Sequence, residues 1–302
     1  MASPITCNWS GVFPAVTTQF DQSLNLDLTA TQAVQAALIR DGVHGMVMLG
    51  TVGENNSLSA DEKRSVLKVA VETSAGKVPV IAGVSELTTA NAVAYARDAA
   101  RLGADGLMIL PAMVYVPTAA ELEHHFTTVA QATSLPVMLY NNPPAYRVNI
   151  NLSTLQRLAE QPNIVAVKES APDSRRFTDI FNALGDRFVL FAGLDDVAFE
   201  GICLGARGWV SGLTNAFPKE SLALYEALKA GDLEKARKIY RWFMPLLHLD
   251  AEHDLVQSIK LAEQLMGRGS ERVRLPRLVL SGDRRAAVTA IVNKAAATRP
   301  VV

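Results

Sequence analysis

The chain has 302 residues, 49% of them hydrophobic, with 29 basic against 30 acidic side chains and a formal net charge of −1. That length and apolar content allow a large α/β core, and the balanced charge excludes a global field that would draw in nucleic acid or an anionic membrane. Two cysteines, Cys7 and Cys203, provide neither a disulfide framework nor metal-ligand spacing, and no stretch reaches the roughly 20 apolar residues of a membrane span.

At the start of the chain, the residues through Trp9 lack a charged opening followed by an apolar block. The expectation is therefore a soluble, cytoplasmic protein. From there, short β-rich apolar runs predict eight strands, over residues 11–20, 45–51, 78–85, 106–112, 136–142, 164–170, 188–193 and 208–213. Amphipathic stretches such as 61–74 and 90–102 lie between them. Ser59 with Glu62 and Thr118 with Glu121 have the spacing of capping boxes, in which hydroxyl and carboxylate satisfy orphan N–H groups at a helix start. Gly42, Gly103 and Gly205 mark a recurring helix stop before entry into a strand. After residue 217 the pattern is helical only, over 218–230, 232–247, about 255–266 and 283–297.

Eight βα units without a linker predict a closed (β/α)8 TIM barrel with a C-terminal helical extension. Residues 1–217 form the barrel core; 218–302 add the last barrel helix and the extension, in the same structural unit. The alternative is an open doubly wound sheet. It needs a Gly-rich phosphate loop after the first strand, and Phe13-Pro14-Ala15-Val16-Thr17-Thr18 contains none.

Lys168 stands near the end of the apolar run Ile164-Val165-Ala166-Val167-Lys168-Glu169-Ser170. Burial there favours the neutral amine, the form that adds to a carbonyl or imine carbon. A strand-end lysine can also lay its stem along the core and keep its head in water. Barrel active sites lie at the carboxyl ends of the strands, and that is where Lys168 falls. The same face holds Thr51, Val52, Glu54 and Asn55 after strand 2, Met113 and Tyr115 after strand 4, and Tyr140, Asn141 and Asn142 after strand 5. Glu169 ends strand 6, Asp195 and Asp196 follow strand 7, and Ser211 and Thr214 follow strand 8.

Tyr140 is placed either to relay protons to a carbinolamine or to bury its ring with a wet hydroxyl. Thr51-Val52-Gly53-Glu54 reads equally as a cradle for a carboxylate and as a plain connection. Asp195 and Asp196 read as caps of the following helix. His44, His124, His125, His248 and His253 show no clustered spacing, so no metal site is expected.

Gly50-Thr51-Val52-Gly53-Glu54, Tyr140-Asn141-Asn142-Pro143 and Val167-Lys168-Glu169-Ser170, in that order, resemble the dihydrodipicolinate synthase/N-acetylneuraminate lyase superfamily of Schiff-base barrels. The similarity runs from about Trp9 to Leu280, through Lys260-Leu261-Ala262-Glu263 and Arg274-Leu275-Pro276. It implies that Lys168 forms the imine, Tyr140 relays protons, and Thr51 helps hold the substrate carboxylate. Val52, Asn142, Gly193 and Val210 are the implied substrate-binding positions, and no cofactor is implied. It also implies a small carboxylate substrate and a homo-oligomer, a dimer or a tetramer of paired dimers.

Some residues depart from the synthase pattern. Val52 replaces a hydroxyl residue, Ala145 replaces an arginine, and Tyr115 is not readily matched to the paired tyrosine after strand 4. Arg147 is then the candidate to bind the carboxylate. The stretches from Gly11 to Phe20, Met48 to Asn55 and Leu110 to Tyr115, with Tyr140-Asn141-Asn142-Pro143, look most like Δ1-pyrroline-4-hydroxy-2-carboxylate deaminases of bacterial hydroxyproline catabolism. That implies conversion of this cyclic imine to 2-oxoglutarate semialdehyde and ammonia. The alternatives are a pyruvate-type 2-keto acid aldolase or dehydratase and, from another class, a non-catalytic barrel that binds a small carboxylate.

Overall fold

The computed structural model describes residues 7–112 and 115–301. In chain order these form β1 (Gly11–Pro14), α1 (Leu28–Asp41), β2 (Met46–Met48), α2 (Ala60–Ser74), β3 (Val80–Val84), α3 (Thr89–Arg101), β4 (Gly106–Ile109) and α4 (Ala119–Gln131). There follow β5 (Val137–Asn141), α5 (Pro143–Tyr146), α6 (Leu152–Leu158), β6 (Ile164–Glu169), α7 (Arg175–Leu184), β7 (Val189–Ala192), α8 (Ala198–Cys203) and β8 (Gly208–Ser211). Four helices complete the chain: α9 (Pro218–Lys229), α10 (Leu233–Ala251), α11 (Leu255–Leu265) and α12 (Gly282–Ala297).

The eight strands pair in parallel in the order β1-β8-β7-β6-β5-β4-β3-β2. A parallel bridge between Ala15 and Val47 joins the two ends, with the Val16 N–H donating to the Val47 carbonyl at 2.9 Å. The result is the expected (β/α)8 barrel with C-terminal helices. Every strand residue is buried, as a parallel sheet covered by helices requires.

Local signals do what their chemistry predicts. Both capping boxes form, at Ser59/Glu62 and Thr118/Glu121. Gly42, Gly103 and Gly205 have φ of 93°, 88° and 108°, the left-handed turn from which the chain enters the next strand. Strands are shorter than their apolar runs because the last residues of several runs turn into loops; the run over 45–51 pairs only at Met46–Met48. The residues so released shape the face where the strands end.

Candidate active site

Lys168 is on β6, in register with Tyr140 on β5 and Phe191 on β7. It is 5% exposed, and its Nζ stands 4.0 Å from the centroid of the Tyr140 ring. No described residue accepts a hydrogen bond from this amine. Burial holds its pKa below the usual lysine value, against the opposing charges of Asp250, Tyr146 and Asp195.

Glycine makes the space for Lys168. A side chain at Gly193, after β7, would come within 2.8 Å of Lys168 Cγ and strike Ser170 Oγ. Tyr140 is oriented by Asn142, whose Nδ2 donates to the phenol oxygen at 2.9 Å, while Asn142 Oδ1 caps α5 through the Ala145 N–H at 3.1 Å. Burial pushes the Tyr140 phenol up to about 12, so it keeps its proton at neutral pH.

Thr51 lies in the turn after β2. Leu49 and Glu54 flank this turn with left-handed φ of 59° and 54°, a strained arrangement for residues with side chains. Three anchors hold it: Asn55 Nδ2 donates to the Leu49 and Gly83 carbonyls at 2.9 and 3.1 Å, and Thr18 Oγ1 donates to the Gly53 carbonyl at 2.8 Å. Among the described residues the N–H groups of Thr51 and Val52 have no acceptor. Thr51 Oγ1 contacts the hydroxyl of Tyr146, whose ring meets that of Tyr140 edge-on at 5.6 Å.

All seven expected site residues, Thr51, Val52, Tyr140, Asn142, Lys168, Gly193 and Val210, line one cavity at the strand ends. Tyr146 and Asp250 line it too, and neither was expected from the sequence. Tyr146 follows the Asn-Pro-Pro turn that α5 builds, and only its position in that short helix aims it inward. Asp250 lies near the end of α10, where a carboxylate looks like any solvent-facing acid. Among the described lining residues Lys168 carries the one basic side chain and Asp250 the one carboxyl group.

Other expectations need correction. Arg147 is exposed and outside this lining, because it terminates α5 in a left-handed turn, φ 58°, that carries it away. Asp195 makes no capping bond. It is fully buried and accepts from Trp209 Nε1 at 2.9 Å, the Leu213 N–H at 2.8 Å and Ser211 Oγ at 3.2 Å, bracing β7 against β8. Asp196 likewise makes no capping bond and pairs with His248 Nδ1 at 2.9 Å. Tyr115 is exposed and donates to Glu121 at 2.9 Å, away from Lys168, while Met113 lies outside the described residues. No group of three or more His, Cys, Asp or Glu with metal-binding geometry occurs among the described residues.

A desolvated amine beside a protonated phenol, at the carboxyl end of barrel strands, defines the class of imine-forming (Schiff-base) barrel enzymes. Comparisons with known proteins agree. The family model described as the dihydrodipicolinate synthetase family matches residues 8–295. A 4-hydroxy-tetrahydrodipicolinate synthase of Methanospirillum hungatei is 34% identical over 271 residues, 89% of this chain and 93% of its own. One from Exiguobacterium sibiricum is 37% identical over 239 residues, 79% and 82% of the two chains. The fold is similar to a dihydrodipicolinate synthase of Acinetobacter baumannii solved with pyruvate, with a TM-score of 0.91, 28% identity and 95% and 99% of the chains covered. The chain belongs to the dihydrodipicolinate synthetase family, and it is a lysine Schiff-base enzyme. None of its described helices is long and apolar enough to cross a membrane.

Proposed function

We propose that this enzyme converts Δ1-pyrroline-4-hydroxy-2-carboxylate to 2-oxoglutarate semialdehyde and ammonia. The observation that carries this reading is a cavity with imine machinery but no arginine. Val52 and Ala145 line it at the two positions where the synthase pattern has a hydroxyl and a guanidinium, and Lys168 carries its one described basic side chain. A substrate whose single carboxylate rests on the N–H groups of Thr51 and Val52 suits such a site better than one with a second acidic group.

Neutral Lys168 adds to C2 of the cyclic imine, and ring opening passes the imine from the substrate nitrogen to the lysine. A proton then leaves C3, the charge being drawn into the iminium, and the 4-hydroxyl departs. Tyr140 moves the proton, with Tyr146 linking it to Thr51. Tautomerisation places an imine at C5; its hydrolysis releases ammonia, and hydrolysis at C2 frees the semialdehyde and Lys168. Val52, Asn142, Gly193 and Val210 shape the pocket around the bound chain.

The test is borohydride reduction in the presence of substrate, with ammonia measured in parallel. Label is expected on Lys168 by peptide mass analysis, and Lys168→Ala loses both label and activity. Label elsewhere, or full activity in Lys168→Ala, overturns the assignment. The names of the relatives favour a second reading, a pyruvate-type aldolase or synthase. Imine formation with pyruvate and carbon–carbon bond turnover without ammonia would select it. The proposal extends to a homodimer or homotetramer, read by sedimentation, and to a cytoplasmic setting, in keeping with the free thiols of Cys7 and Cys203.

A further inference from the structure

Asp250 enters the Lys168 cavity from α10 and also lines the wider mouth outside it, beside Glu252 and His253. Gly212, just after β8, makes the room: a methyl group there would collide with Asp250 Oδ1 and with Ile259 Cδ1. One carboxylate oxygen takes a long bond from the Asp195 N–H at 3.4 Å, and no cationic side chain among the described residues forms an ion pair with it. Burial pushes the Asp250 carboxyl up to about 6, against the pull of Lys168, so it can gain and lose a proton close to neutral pH.

Loss of hydroxide from C4 is slow at neutral pH unless a proton arrives with the breaking bond. Tyr140 and Tyr146 stand together beside Lys168, where C2 and C3 are handled. Asp250 is the remaining acidic group on the cavity wall. We infer that Asp250 is the catalytic acid that protonates the departing C4 hydroxyl; this rests on the deaminase reading above. The lone pair on the Lys168 enamine nitrogen re-forms the C=N bond to C2, and the C2–C3 double-bond pair moves to C3–C4. The C4–O bond breaks, and its electron pair leaves with the Asp250 proton as water. Asp250, now a carboxylate, takes back a proton from water at the mouth it also lines, and the C5 proton lost in the following tautomerisation passes to water without Asp250.

The experiment compares wild type and Asp250→Asn on two substrates, the 4-hydroxy pyrroline carboxylate and its 4-fluoro analogue, with ammonia release as the readout. Fluoride leaves without a proton, so only the hydroxyl substrate needs the acid. The variant is expected to lose about 100-fold or more on the hydroxyl substrate and only a few-fold on the fluoro analogue. Equal loss on both assigns Asp250 a merely structural part and overturns the inference, as does no loss on either. Absence of ammonia release by the wild type would instead sink the deaminase reading, and this role with it.

Discussion

Lys168 attacks only as the neutral amine, so kcat/KM should rise with pH through the ammonium pKa, which burial holds below the ordinary lysine value. A pH profile of ammonia release gives that limb directly; an acid limb at the ordinary lysine value would contradict the buried amine. Gly193→Ala is the sharpest steric probe. A Cβ there meets Lys168 Cγ at 2.8 Å and strikes Ser170 Oγ, so the amine must move, and a shift of about 1 Å costs on the order of 100-fold in rate. Tyr146→Phe removes the hydroxyl between Thr51 and Tyr140; kcat should fall about 100-fold while borohydride still traps the imine. Lys168 and Tyr140 were legible in the sequence because a polar residue that ends an apolar strand is costly to bury and falls on the reactive face of a barrel. Tyr146 and Asp250 were not, since a tyrosine in a short turn and an acid near a helix end are ordinary surface residues in most chains.

At the level of elements, the strand-end loops are held from outside the barrel. Lys260 of α11 is fully buried and donates to Glu54 Oε1 at 2.9 Å and to the Thr18 carbonyl at 2.7 Å, with its ammonium 4.6 Å from the Phe20 ring centroid. The other Glu54 oxygen accepts from the Arg274 N–H at 2.9 Å. The Thr51 turn is thus tied to the C-terminal helices through a buried charge pair. Lys260→Met would leave Glu54 charged and unpaired, at about 3–5 kcal/mol, lowering Tm by on the order of 10 °C. Thermal melts beside Glu54→Gln check this; a variant that melts with the wild type would show the pair to be dispensable. The two capping boxes and the glycine stops were readable because capping is local, whereas this clamp joins residues 206 positions apart and leaves no pattern in sequence.

Across the molecule, Leu246, Leu247 and Ile259 of the extension and Val288 and Val292 of α12 belong to the same apolar core as the strands. We therefore propose that residues 1–217 and 218–302 unfold together, as one calorimetric transition; two separated transitions would divide them. The (β/α)8 order, the capped helix starts and the lysine on the reactive face could be read from the chain alone, because strand period, capping and burial of charge act over a few residues, whereas α10 runs to Ala251, beyond the expected end at 247. It took the folded barrel to join Tyr146 to Thr51 and Tyr140, to turn Arg147 away, and to deliver Asp250 from α10 beside Lys168. Those outcomes depend on where distant elements pack around a closed barrel, and no spacing along the chain records that distance.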